Sequence, residues 1–377
     1  MMKTRLWMLV VMVAGALSLH SWGQAPVITG FQPGGQLSWS NAPDGVVEYR
    51  VQRAETLAPP VWTNEQVGVV PTGSMMSVSV PMPVGGRYYR VVAVTDDSRF
   101  AEQVLIPAGT NSGINPLSPE EAYETPWYSR DYSLTVSSFY MDKYEVTKAK
   151  WDEVRSWAVT HGYPDLMPGA GKGTNHPVQQ VNWYECVKWC NARSEKDGLT
   201  PAYYTTSAKT TVYRTGWTNI EDNCVNWSSG YRLPTATEWE YAARGGVSSK
   251  RFPWGGDTIS HTQANYFADG KISYDLSSGG FHPAYTNGAD PYTSPVGSFE
   301  AGKNAYGLYD MAGNVWEWCW NWYPGQEGQS REIRGGQWGE YYQAARYCKV
   351  GLRYPSFPSN GYGDTGQGFR TVLSVGQ

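Results

Sequence analysis

The stretch NAYGLYDMAGNVWEWCWNWY, Asn304 to Tyr323, sets the character of this chain. Asp310 and Glu317 bracket a tight turn at Gly313, where a residue without a Cβ lets the backbone double back and aim its carbonyls inward. Two carboxylates and a few carbonyls make the mixed oxygen set that calcium accepts, about six to eight at a time. The spacing is not that of an EF-hand loop. Just upstream, residues 255–300 are nearly all Gly, Asn, Asp, Ser and Pro among aromatics. That is long for an unstructured connection in a compact domain. Something other than a strand ladder holds it, and a bound cation is one candidate.

The composition points the same way, to an α+β fold rich in loops. Apolar residues are 41% of the 377, and the unusual share is aromatic, with 18 Trp and 27 Tyr. Together with 42 Gly and 24 Pro, they describe an irregular chain fastened by large rings. The net charge is only -4, and no Lys/Arg cluster is present to neutralise a row of phosphates. This argues against nucleic acid and leaves proteins, peptides, glycans or small molecules as partners.

At the start, Lys3 and Arg5 precede LWMLVVMVAGALSL, an apolar run too short to span a bilayer comfortably. Residues 1–23 read as a signal peptide, with Ser21 and Gly23 spaced for cleavage before Gln24. No second long apolar run follows, so the expectation is a secreted or periplasmic protein with no membrane span after cleavage. Residues 24–98 alternate apolar and polar positions between turn residues, as in VEYRVQRA and RYYRVVAV. They predict a small all-β sandwich resembling a fibronectin type III module. Aromatic density rises from Val104, placing a second domain over 99–377.

Three helices are predicted there. One follows Thr147, with Trp151, Val154 and Ala158 on one face and a stop near Gly162. Another aligns Trp183, Cys186, Val187 and Cys190. The third opens on a capping box, Thr235 with Glu238, and ends at Gly245 and Gly246. Between 200 and 230, β-branched and aromatic residues around Tyr213 suggest a hairpin. The chain has no H-E-x-x-H, no Walker loop, no G-x-G-x-x-G after a strand and no G-x-S-x-G elbow. Its histidines are scattered without metal-ligand spacing. Five cysteines are an odd and sparse set, best read as packed thiols.

Seven segments nonetheless occur in a characteristic order: FYMDKYEVTKAKWDEV, HPVQQVNWYECVKWCNARS, YRLPTATEWEYAARGG, RFPWGG, the quoted NAYGLYDMAGNVWEWCWNWY, REIRGGQW and GQGFR. In this order they resemble the formylglycine-generating enzyme, or sulfatase-modifying factor, family from about Val104 to the C-terminus. The resemblance implies a variant of the C-type-lectin fold and two structural calcium ions. One calcium pattern falls on Asp310, Gly313, Val315 and Glu317, with Asp310 where Asn is common. The other falls on Asn265, Tyr266, Asp290 and Tyr292, with Pro291 in place of a Gly.

The family's enzymes oxidise a sulfatase cysteine to formylglycine with oxygen and a copper(I) ion held by two cysteines five residues apart. In this chain those positions fall on Glu340 and Ala345, neither of which is a thiolate ligand, so no copper is expected. The resemblance therefore implies an exported binding scaffold whose cleft is lined by Trp338, Glu340, Tyr341 and Tyr342. The alternative is an active or divergent oxidase that modifies exported sulfatases.

Overall fold

The computed structural model describes residues 28–31, 36–40, 46–54, 63–69, 75–79, 88–95, 102–118, 120, 130–339, 344–360 and 366–374. The expected signal segment lies outside them. Contacts divide the chain into two compact units that part between Ala101 and Glu102.

In the first unit the alternating segments become β1 (Ile28–Phe31), β2 (Gln36–Ser40), β3 (Val46–Ala54), β4 (Thr63–Val69), β5 (Met75–Ser79) and β6 (Tyr88–Thr95). Every described pairing is antiparallel, in two three-stranded sheets ordered β1-β2-β5 and β4-β3-β6. The central β3 is rich in Val and Tyr, residues that fit a pleated surface.

The second unit begins with β7 (Gln103–Ile106), β8 (Gly109–Ile114), β9 (Asp131–Val136) and β10 (Phe139–Asp142). Next come α1 (Lys148–Ala158), α2 (Trp183–Lys196), β11 (Tyr231–Arg232) and α3 (Ala236–Ala243). Then follow β12 (Trp316–Trp322), β13 (Arg331–Arg334), α4 (Ala344–Tyr347), β14 (Tyr354–Ser356), β15 (Gln367–Gly368) and β16 (Val372–Ser374). One sheet runs β11-β16-β10-β7 and another β14-β13-β12-β15, while β8 and β9 pair alone. The last strand thus inserts between β10 and β11 and carries Arg370 and Thr371 into the interior, where both are 0% exposed.

The helices start where their caps stand. Thr147 accepts a hydrogen bond from Lys150 N at 3.1 Å, and Trp151, Val154 and Ala158 of α1 are buried. Thr235 and Glu238 form the predicted capping box of α3, and Gly245 and Gly246 follow that helix with positive φ. Helix α2 departs from the one-faced expectation. Glu185, Lys188 and Asn191 are buried as well as the Trp and Cys positions, so it is a central helix wrapped on all sides rather than an amphipathic one. Between 200 and 230, pairing is confined to single bridges, Tyr203 with Val225 and Tyr204 with Val212. These are too short to make the predicted hairpin a pair of strands.

Residues 255–300 are held without a ladder. Ile259, Ala264, Tyr266, Ala268, Ile272 and Tyr274 form an apolar cluster with Phe252 and Cys348. Side chains then tie the backbone down: Tyr266 Oη donates to Asp275 Oδ1 at 2.5 Å, and Asn265 Nδ2 donates to the Tyr292 carbonyl at 2.8 Å.

Candidate functional site

The Asp310–Glu317 turn is buried within the second unit. Asp310 and Asn314 both take the left-handed region, at φ 56 and 64, and Gly313 sits between them at φ 80. A Cβ on Gly313 would come within 2.4 Å of the Asn265 carbonyl oxygen, so glycine is required for the close approach as well as for the φ. Asn314 N donates to that same carbonyl at 2.8 Å. The two stretches expected to bind separate calcium ions are therefore in direct contact.

Asp310 is 7% exposed, and its Oδ2 accepts from Gly297 N at 2.6 Å. Burial, with the Glu317 charge adding to it, pushes its carboxyl up to about 6. Glu317 is fully buried on β12. Its carboxylate accepts from Arg370 through Nε and Nη2, each at 2.7 Å, and from Trp239 Nε1 at 2.7 Å. A third acid, Glu145, was not singled out as a site residue from sequence. It is 1% exposed, and its carboxylate accepts from Asn314 Nδ2 at 2.6 Å and Val315 N at 3.1 Å. Burial first, then Asp310 and Glu317, drive its carboxyl well above the usual range, with Arg370 opposing. Glu145 and Arg370 both lay in quoted motifs, KYEVTK and GQGFR, but nothing in either short motif reveals the partner across the fold.

Among the described residues, this cluster sets three buried carboxyls against one guanidinium. Its charge suits a hard divalent cation. Its geometry suits one in part, because the Glu317 side chain is already committed to Arg370 and Trp239. Among the described residues, no three His, Cys, Asp or Glu side chains converge as ligands of one ion. A cation would draw on Asp310, the carbonyls of Gly313 and Val315, and the oxygens of the adjoining loop. In that loop Asn265 is 2% exposed and Tyr266 0%, whereas Asp290 is exposed.

The segment that the family resemblance led us to expect at the thiol positions begins at Gly335 and Gly336, both at positive φ. Gly336 covers Cys348, whose Sγ is 3.1 Å from where a Cβ would sit. Trp338 is 3% exposed, its ring centroid 5.8 Å from Phe281 and 5.4 Å from Tyr292. It is packed against the Asn265–Tyr292 loop, so it serves as a buried wedge rather than the exposed cleft wall expected of it. Ala345, on α4, is 1% exposed. Glu340, Tyr341 and Tyr342 lie outside the described residues. All five cysteines are buried with no disulfide between them. Burial pushes the thiols of Cys186, Cys190 and Cys319 up, which holds them protonated at neutral pH.

The family model described as "Sulfatase-modifying factor enzyme 1-like domain" matches residues 90–375. Chaperone protein LppX of Paenibacillus barcinonensis is 37% identical over 255 residues, covering 65% of this chain and 83% of that protein. The formylglycine-generating enzyme of Mus musculus is 30% identical over 238 residues, 59% of each chain. The inactive C-alpha-formylglycine-generating enzyme 2 of Bos taurus is 36% identical over 127 residues, 34% of this chain and 38% of that one. Among solved structures, CarF superposes with a TM-score of 0.54 at 25% identity over 72% of this chain and 98% of that one. No described helix is long and apolar enough to cross a membrane. With seven ordered motifs, a matching loop-rich α+β fold and a family model spanning most of its length, the chain belongs to the sulfatase-modifying factor family.

Proposed function

We propose that the protein is an exported scaffold that uses the sulfatase-modifying-factor fold to hold a protein, peptide or glycan ligand, without copper-dependent oxidation. The observation that carries this reading is the identity of the two residues at the family's thiol positions. Glu340 offers a hard carboxylate, and Ala345 offers only a methyl group, buried in an apolar cluster with Ala344 and Cys348. Copper(I) favours soft thiolates, and neither residue supplies one. The thiolate is the metal-binding form of cysteine, which burial disfavours at Cys186, Cys190 and Cys319.

The LppX relative bears a chaperone's name, which supports a protein-binding role here. In this reading the leader exports the chain, and the two-sheet unit is a fibronectin III-like spacer. Calcium, bound at Asp310, Gly313 and Val315 and at the Asn265–Tyr292 loop, would supply a structural cross-link between those segments.

The deciding experiment supplies the purified protein with copper, oxygen and a peptide containing C-x-P-x-R, then weighs the peptide. An unchanged cysteine is the expected result, and conversion to formylglycine overturns the reading. The second reading, an active or divergent oxidase acting on exported sulfatases, is favoured by the 30% identity to the mouse enzyme. It predicts copper or iron in the purified protein, and loss of conversion on Cys348→Ser.

A further inference from the structure

On the second unit, lined by none of the acid-cluster residues, a groove of about 740 Å³ runs between the β9–β10 turn, the Asn226–Ser228 loop and the start of α3. That volume is in the range that holds a small organic ligand, here about two to four sugar rings. Its floor is nearly neutral. Arg232 and Glu238 pair in a fork, with Nη1 to Oε2 at 2.7 Å and Nη2 to Oε1 at 2.6 Å, and Lys209 is the other charged residue lining it. A strongly charged ligand therefore finds little to neutralise it.

The walls offer hydrogen bonds instead. Ser137 and Thr237 are exposed, and Ser138 and Thr235 partly so. Asn321 uses its Oδ1 to accept from Ala236 N at 2.8 Å, which leaves its Nδ2 as a donor at the rim. Arg232 is 4% exposed, yet its Nε–H has no acceptor among the described residues. A buried donor left this way is costly, and a ligand hydroxyl or a bridging water relieves it.

The groove also presents an aromatic plate. Trp227 keeps 36% exposure, whereas most described tryptophans are buried. It is held in place: the Trp320 ring meets it edge-on at 5.7 Å, the Arg232 guanidinium lies 5.3 Å from its ring centroid, and Ser374 Oγ donates to its carbonyl at 2.6 Å. A fixed indole beside hydroxyls, an amide and a neutralised ion pair matches the two-sided chemistry of a sugar, whose C–H face is apolar and whose edge is all hydroxyl.

We propose that this groove binds a neutral oligosaccharide, stacked on Trp227 and hydrogen-bonded by Asn321, Thr237 and the Arg232–Glu238 pair. The groove does not involve the thiol positions, and its ligand deepens the scaffold reading, in which a glycan is one named occupant; the sulfatase-peptide assay judges the absence of oxidation separately.

The test titrates the full chain with cellotetraose, chitotetraose, xylotetraose and maltotetraose, and with tetragalacturonate as the charged control, following heat and tryptophan fluorescence. At least one neutral tetrasaccharide is expected to saturate the protein and to bind more tightly than the charged control. Trp227→Ala should weaken it by about tenfold or more, the order that loss of one good aromatic contact gives. Trp227→Phe, which keeps a ring against Trp320, should fall between the two. Circular dichroism and melting temperature should stay near those of the parent. The proposal is overturned if no neutral probe binds, if Trp227→Ala or Trp227→Phe binds as the parent does, or if tetragalacturonate is preferred. It is equally overturned if an unrelated peptide library, but no sugar, competes at Trp227.

Discussion

Two buried charge clusters lie side by side in this fold, and they are built differently. Glu317 of β12 and Arg334 of β13 are cross-strand partners, each 0% exposed, yet neither pairs with the other. Arg334 turns to Glu240 at 3.2 Å and Glu332 at 2.5 Å, and Glu240 also takes Arg244 at 2.6 Å. Two buried guanidinium groups thus meet two carboxylates, with the partly exposed Arg353 3.9 Å from Glu332 at the edge and with the Asn115 amide oxygen and the Val350 and Leu352 carbonyls taking further N–H groups. On the other side Glu317 pairs with Arg370, and Asp310 and Glu145 feel the same guanidinium only through space. The first cluster closes on itself and fastens the sheet to α3. The second sets three buried carboxyls against one guanidinium, and burial with mutual repulsion raises Glu145 and Asp310.

The largest effects come from removing Arg370 and Glu240. Arg370→Met leaves Glu317 without its guanidinium, beside two further buried acids, and should cost about 3–5 kcal/mol in urea unfolding, the usual result of breaking a buried pair. Glu240→Ala removes the acid partner of Arg244 while Arg334 keeps Glu332, and should cost about 3 kcal/mol, near the low end of that range. If the Arg370 variant lost less than the Glu240 variant, the unbalanced cluster would not be the more strained one.

Calcium separates the two clusters more sharply. Saturating calcium should raise the melting temperature of the parent, by a free energy of about 2.7 kcal/mol at a hundredfold excess over Kd. Asp310→Asn should lose most of that gain, while Glu240→Ala, though weakened, should keep it. A gain that persists in Asp310→Asn would remove the ion from the turn.

The smallest effect is a pH dependence at a third buried pair, Asp142 with Arg193 at 2.9 Å. Burial pushes the Asp142 carboxyl up, but Arg193, Thr371 and Gln103 together outweigh it and hold the group below the ordinary carboxylate value. A depressed pKa stabilises the fold above the unfolded value, about 3.9, and that stability is lost as pH falls through the folded value. Melting temperature followed from about pH 6 down to 2 should therefore fall on the acid side, and Asp142→Asn should flatten part of the fall.

How much was legible varied by element. The caps at Thr147 and Thr235 were readable because an N-cap is a local bargain between one side chain and a backbone N–H three residues on. The requirement for glycine at 313 was readable as a turn, but the Asn265 carbonyl that enforces it lies 48 residues away and left no sequence signal. The all-round burial of α2 was missed because Glu185, Lys188 and Asn191 look like a wet face until their partners are known. Trp338 was read as cleft because aromatics line both clefts and cores, and only its neighbours Phe281 and Tyr292 decide which.

The sequence by itself determined the family, the alternation that makes the first unit β-rich, and the starts of α1 and α3. All of these reside in local chemistry or in the order of motifs along the chain. The tertiary structure alone decided that Glu145, Asp310, Glu317 and Arg370 share one buried volume, and that Trp227 stands beside Arg232 over an open groove. Burial and charge balance are properties of neighbours in space, and those neighbours come from segments up to 225 residues apart, as Glu145 and Arg370 do.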